Sequence, residues 1–212
     1  VVPESQADLY RKRYGDAVDA IPDELDGSIP RKRNAVLDLI QEREQDSYGF
    51  MIDDDVFNLK RKKENIRLSG DEALEILERL YIMAKDMGAT FGGFDYSEDC
   101  MKLKDMAPFS LGKPIYALVL VKADDGVRYD TRFRVCEDVD FWAAKIHSSR
   151  RLIKDNQYAA LAYGDDGGSD SVIGYNVKTK QHYATLINKK WGQPIMKWNK
   201  SSFRFKLPVT AI

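Results

Sequence analysis

Apolar positions along the chain follow a helical spacing at first, turn strand-like in the middle, and become helical again near the end. Val1-Val2 reads as the end of a strand feeding a short helix, Pro3 to Tyr14, closed by Gly15. Ile29-Pro-Arg-Lys-Arg-Asn34 leads into a second helix with Val36, Leu37, Leu39 and Ile40 on its apolar face. The run Tyr48 to Ile52 reads as a buried strand. Ser69-Gly-Asp-Glu72 has the spacing of a capping box, in which the serine hydroxyl and the glutamate each satisfy a free backbone N–H. The helix it opens places Ala73, Leu77, Leu80, Ala84 and Met87 on one face and stops at Gly88.

The spacing then shortens. Thr90 to Tyr96 is a strand whose Gly92-Gly93 marks a kink or a close approach by another group. Ile115 to Val121 is continuously apolar, as a central strand is. Asp124-Asp-Gly126 is a hairpin turn signal, with Val127 to Val135 alternating like its return strand. Glu137-Asp-Val-Asp140 sets acids at the start of a helical stretch, Phe141 to His147, where they complement the helix dipole. A strand at Tyr158 to Tyr163 precedes the polar, glycine-rich loop Gly164 to Asp170, expected to lie near a ligand. Asn176 to Lys190 reads as a helix, and a basic tail with Trp191, Trp198 and Phe203 follows. Helices alternating with strands, then a β meander, predict one α/β domain over residues 1–212.

Composition narrows the class. The 212 residues are 43% hydrophobic and 32% charged, as in an ordinary globular protein. No apolar run approaches the roughly 18 residues of a membrane span, so no membrane partner is expected. Cys100 and Cys136 have no metal-binding spacing, and a reducing cytoplasm is the simpler expectation. The chain starts Val-Val-Pro-Glu without a methionine, and an N-terminal βα unit is expected to be missing from it.

The formal net charge is -1, but it is unevenly distributed. Lys189, Lys190, Lys197, Lys200, Arg204 and Lys206 follow one another without an acid between them. Lys60-Arg-Lys-Lys63, with Arg67 close behind, is a second basic run. Such runs neutralise phosphates or form solvated faces.

Three aspartates in a row, Asp53, Asp54 and Asp55, close the strand that ends at Ile52. In an open α/β sheet, ligands bind beyond the carboxyl ends of the strands. Hard carboxylate oxygens there suit Mg²⁺ or Mn²⁺ shared with substrate phosphates; a solvated turn is the alternative. Arg31, Arg33 and Asn34 stand at a helix entry, where cations oppose the dipole and an anionic ligand would relieve them. Glu137 and Asp138 fit either a general base or helix capping. His147 and His182 are isolated in sequence, and His182 is the better candidate for a metal shell. No phosphate-binding loop ending in Lys-Ser/Thr and no Gly-x-Gly-x-x-Gly occurs, which weighs against nucleoside triphosphatases and dinucleotide dehydrogenases.

The order of these features resembles the GT-A class of nucleotide-sugar glycosyltransferases. Val1 to Tyr10, Ile29 to Asn34, Phe50-Met-Ile-Asp-Asp-Asp55 and Glu137-Asp138 carry the resemblance. Within that class the chain is most similar to the phage TET-associated glycosyltransferases, implicated in adding sugars to 5-hydroxymethylcytosine in viral DNA. The resemblance implies a GT-A-like, Rossmann-like mixed sheet flanked by helices, lacking the first βα unit. It implies Mn²⁺ or Mg²⁺ at Asp53 and Asp55, with His182 loosely in the place of a C-terminal metal histidine. A nucleotide-sugar donor, UDP-sugar foremost, would meet Arg31, Arg33, Asn34, Asp53 and Asp54. Asp138, or Glu137, would take the acceptor proton. The implied acceptor is DNA bearing a hydroxymethylated pyrimidine, with Trp191, Trp198 and Tyr163 as stacking candidates, and the implied setting is a phage host's cytoplasm. A transferase acting on a glycan or small molecule, and a silent DNA-binding relative, are the alternatives.

Overall fold

The computed structural model describes residues 1–95, 107–110, 115–163, 177–199 and 202–206. The glycine-rich loop expected at Gly164 to Asp170 lies outside them. Strand β1 (Val2–Pro3) runs into helix α1 (Glu4–Tyr14) and pairs in parallel with β2 (Ala20–Ile21). Next come α2 (Ile29–Arg43), β3 (Tyr48–Ile52), β4 (Val56–Arg61), β5 (Ile66–Arg67) and α3 (Gly70–Met87). They are followed by β6 (Phe91–Asp95), β7 (Phe109–Ser110), β8 (Leu118–Lys122), α4 (Glu137–Ser149) and β9 (Leu152–Ala162). Helix α5 (Val177–Trp191) and the antiparallel pair β10 (Met196–Asn199) and β11 (Ser202–Phe205) complete the described chain.

Helix α3 begins where the capping box places it. The Ser69 hydroxyl accepts from the Glu72 N–H at 3.3 Å, and Glu72 Oε2 accepts from the Ser69 N–H at 2.8 Å. A cap of this kind contributes about 1 kcal/mol. Gly88 ends the helix at φ 62°, a left-handed conformation that costs glycine little.

Seven strands form one mixed sheet among the described residues, in the order β3-β8-β6-β9-β4-β5, with β7 also on β9. β8 is antiparallel to β3 and to β6, while β6 and β9 are parallel. The carboxyl ends of β3, β6 and β9 therefore share one edge of the sheet. β8 explains its own continuous apolar run. Val119 and Val121 pack with Leu37 of α2, Trp142 of α4 and Ile187 of α5 on one face. Leu118 and Leu120 pack with Ile76, Leu80 and Ala84 of α3 on the other. A strand covered on both faces has no polar side to show. Gly93 meets the expectation of close approach: a Cβ there would come 2.6 Å from the Leu118 carbonyl oxygen.

β3 lies at the sheet edge, so it is buried only in part: Tyr48 and Met51 are in the core, while Ile52 at its end is 51% exposed. Three expectations change. The turn at Asp124 to Gly126 is present, but Val127 to Val135 does not return as a strand. Its backbone is engaged by side chains instead: Asn34 Nδ2 donates to the Tyr129 carbonyl at 2.9 Å, and the Tyr129 N–H donates to Asn34 Oδ1 at 2.8 Å. Lys145 holds the turn itself through Asp125 and the Lys122 carbonyl. β9 starts at Leu152, six residues before the strand expected at Tyr158. The basic, aromatic tail is folded, pairing Trp198 opposite Phe203 in the β10–β11 hairpin.

Candidate active site

The aspartate triplet forms the turn between β3 and β4. Its backbone is fixed at three points: the Asp53 N–H donates to the Ala117 carbonyl at 2.8 Å, the Val56 N–H to the Asp53 carbonyl at 3.1 Å, and the Tyr163 N–H to the Asp55 carbonyl at 3.0 Å. The turn thus joins the ends of β3, β8 and β9. Asp54 points to solvent, whereas Asp53 and Asp55 are half-buried.

Arg33, one turn into α2, ties this turn to the start of α4. Its Nη2 donates to Asp53 Oδ1 at 2.8 Å, and its Nη1 donates to Glu137 Oε1 at 3.2 Å. The guanidinium also lies over the Tyr129 ring, 5.5 Å from its centroid. Tyr129 in turn stacks on Phe141, with centroids 3.8 Å apart and planes 8° from parallel. Burial alone would lower the Arg33 pKa, but the Tyr129 hydroxyl, Asp53, Glu137 and Asp138 outweigh it and raise the pKa above its usual value. Arg33 is a fixed cation.

Glu137 is buried and Asp138 half-buried, side by side at the first turn of α4. Burial raises both carboxyl pKa values above the usual carboxylate range; Asp138's charge adds to the rise at Glu137, and Arg33 opposes it at both. The Asp138 carboxylate also accepts from the Val139 N–H at 2.8 Å, which favours its charged form. A carboxylate of raised pKa is a stronger base, once ionised, than a free one.

The expected site residues divide accordingly. Arg33, Asp53, Glu137 and Asp138 come together. Arg31 is exposed on the first turn of α2, free to meet an anion. Asn34 spends both ends of its amide on the Tyr129 backbone, so it shapes the site rather than facing a ligand. His182 is exposed on α5 with its ring edge-on to Tyr183, 5.5 Å away. It does not join the aspartates: among the described residues no group of three or more His, Cys, Asp or Glu is placed to hold a metal ion.

Two basic residues expected at the surface are paired with carboxylates, Lys62 inside the fold and Lys190 at its surface. Lys62 is fully buried and donates to Asp95 at 2.7 Å, a carboxylate that Lys154 also contacts at 3.0 Å. Lys190 donates to Asp140 at 2.6 Å and lies 3.0 Å from Asp130. Trp191 donates its indole N–H to the other oxygen of Asp140 at 2.9 Å, which makes it an anchor of α5 on α4. Nothing in the sequence singled out Tyr129, or the Asp140 grip on Lys190 and Trp191, because each joins positions remote along the chain.

A mixed sheet with helices on both faces and charged groups gathered at its carboxyl edge is a Rossmann-like fold in the class that binds ligands at that edge. Comparison with family models matches residues 1–162 to TET-Associated Glycosyltransferase, and the chain belongs to that family. It is a glycosyltransferase, with a sugar donor and an acceptor as its substrates. A search of curated proteins found no match. Among the described residues no helix is long and apolar enough to cross a membrane.

Proposed function

We propose that the protein transfers a sugar from a nucleotide-sugar donor, UDP-sugar foremost, to the hydroxymethyl group of a modified pyrimidine in DNA, 5-hydroxymethylcytosine in the first instance. The observation that carries this reading is the Arg33 bridge, which holds the aspartate turn beside the carboxylates of α4. The acceptor oxygen attacks the anomeric carbon of the sugar, the bond from that carbon to the diphosphate oxygen breaks, and the hydroxyl proton passes to Asp138. Arg31 faces the departing diphosphate. Arg33, engaged by two carboxylates, keeps Glu137 and Asp138 from holding their protons too tightly.

The donor set suits a divalent cation completed by phosphate. Asp53 commits one oxygen to Arg33 while its side chain stays 40% exposed, and Asp55 lies two residues along the same turn. Mg²⁺ and Mn²⁺ sites commonly take one or two protein carboxylates and fill the rest with phosphate and water. Asp53 and Asp55 would hold the ion, which would supply positive charge beside the leaving diphosphate.

The burial of Lys62 on Asp95 and the pairing of Lys190 with Asp140 and Asp130 favour a second reading, transfer to a glycan or small molecule, because both charges are already met by carboxylates. The test uses hydroxymethylated and unmodified duplexes incubated with a panel of nucleotide sugars and Mn²⁺, then digested for mass spectrometry of nucleosides. A hexose-sized mass added to hydroxymethylcytidine alone is the expected result. No adduct with any donor, alongside transfer to a free glycan, would establish the second reading.

A further inference from the structure

Among the described aromatic side chains near the site, one pair is left open to solvent. Phe57 and Tyr163 stack with centroids 4.4 Å apart and planes 30° from parallel, yet Tyr163 is 66% exposed and Phe57 37% exposed. Two rings exposed side by side offer an aromatic face to a partner. The backbone is shaped to present them. In the β4–β9 ladder Val56 faces Ala162 and Asn58 faces Leu161, so Phe57 is the extra residue of a β-bulge. A bulge re-aims a side chain and is common beside active sites. Tyr163 is tied to the aspartate turn by its N–H on the Asp55 carbonyl. The pair therefore sits at the same sheet edge as Asp53 and Asp55.

We infer that Phe57 and Tyr163 form a stacking platform for a nucleobase of the acceptor DNA strand. This deepens the function proposed above and rests on it. The charge pattern selects DNA over the single base of the donor. Arg67 lies over the Phe57 ring, 5.3 Å from its centroid, and stands opposite Lys60 in the β4–β5 ladder. Residues 60–67 hold five basic side chains against one acid, Glu64; Lys62 is turned inward and Arg61 lies 3.9 Å from Glu72, while Lys63 and Arg67 are exposed. Cations beside an aromatic face suit a polyanion whose bases can stack. A base taken out of a duplex to reach the anomeric carbon loses its own stack, and the platform restores one. The other candidates are otherwise engaged, Trp191 on Asp140 and Trp198 edge-on to Phe203.

The test measures binding of a fluorescent single-stranded oligonucleotide, and separately sugar transfer, by the wild type, Tyr163→Ala, Tyr163→Trp and Phe57→Leu. Tyr163→Ala removes an exposed ring, so the fold is expected to survive it, as circular dichroism would check. The platform predicts about tenfold or greater loss of oligonucleotide affinity in Tyr163→Ala, a smaller loss in Phe57→Leu and near-complete retention in Tyr163→Trp. In transfer assays the KM for DNA should rise while the KM for donor stays put. Unchanged affinity in Tyr163→Ala, or a rise confined to the donor KM, would overturn the platform even if the wild type glycosylates DNA. Tyr163-dependent binding without any transfer to DNA would leave the platform standing and remove the proposed function instead.

Discussion

The Arg33 guanidinium lies 2.8 Å from Asp53 Oδ1 and 3.2 Å from Glu137 Oε1, so one side chain spans residues 20 and 104 positions away in sequence. The side chain thereby links the aspartate turn to the first turn of α4. Arg33 also supplies the positive charge that opposes the rise of both acids, where desolvation pushes the protons back on, helped by Asp138 and Asp53 at Glu137 and by Asp53 at Asp138.

Arg33→Ala is expected to lower kcat/KM for sugar transfer by about 100-fold or more, the scale of losing a charge placed for a reaction. The pH profile adds a sign. A base works when deprotonated, and its pKa rises when the guanidinium is removed, so the acid limb of the profile should move to higher pH. Arg33→Lys keeps a charge without the two-pronged fork and should fall between. Steady-state rates from pH 5 to 9 would read both effects; an acid limb that does not move would detach Arg33 from Glu137 and Asp138.

The buried Lys62–Asp95 pair makes a prediction about stability. Asp95→Asn leaves a fully buried ammonium without its carboxylate, and breaking such a pair costs about 3–5 kcal/mol. Burial opposes ionisation of Asp95, but Lys62 and Lys154 outweigh it and hold the pKa down at about 2 against an ordinary 3.8. A depressed carboxyl stabilises the fold above its unfolded pKa and loses that contribution as pH falls. Urea unfolding should thus show a constant gap between wild type and variant from pH 5 to 8. The gap should close as pH drops from 3.8 toward 2.

Metal dependence can be read without turnover. A ligand that binds only the folded state raises the melting temperature. UDP-sugar with Mn²⁺ is expected to do so by several degrees in the wild type. Asp53→Asn and Asp55→Asn should lose the increment that Mn²⁺ adds while keeping any shift due to the nucleotide alone. Equal shifts in all three proteins would remove the aspartates from the ion site.

How far the chain could be read in advance depended on where each interaction lies. The capping box at Ser69 and Glu72, the apolar run of β8 and the acids opening α4 are local signals, and the structure carries each of them. β4 was hidden because its end reads as a charge run, and only the fold shows Lys62 turned inward onto Asp95. The start of β9 was hidden by Lys154, Asp155 and Asn156, polar residues that are nonetheless buried and paired. Val127 to Val135 alternates as a strand does, yet Asn34 claims the Tyr129 backbone from 95 residues away. The same limit applies to the site. Arg33, Asp53, Glu137 and Asp138 were marked by charge in telling places, whereas Tyr129 gave no sign before the helices packed.

In the proposed mechanism Asp138, beside the Arg33 bridge, takes the acceptor proton. The most direct measurement compares wild type and Asp138→Asn for sugar transfer to hydroxymethylated DNA and, in the same preparation, for donor binding by calorimetry. The expected result is a loss of transfer of about 100-fold or more, the range of a positioned general base, with donor affinity unchanged. Transfer at the wild-type rate by Asp138→Asn would contradict it.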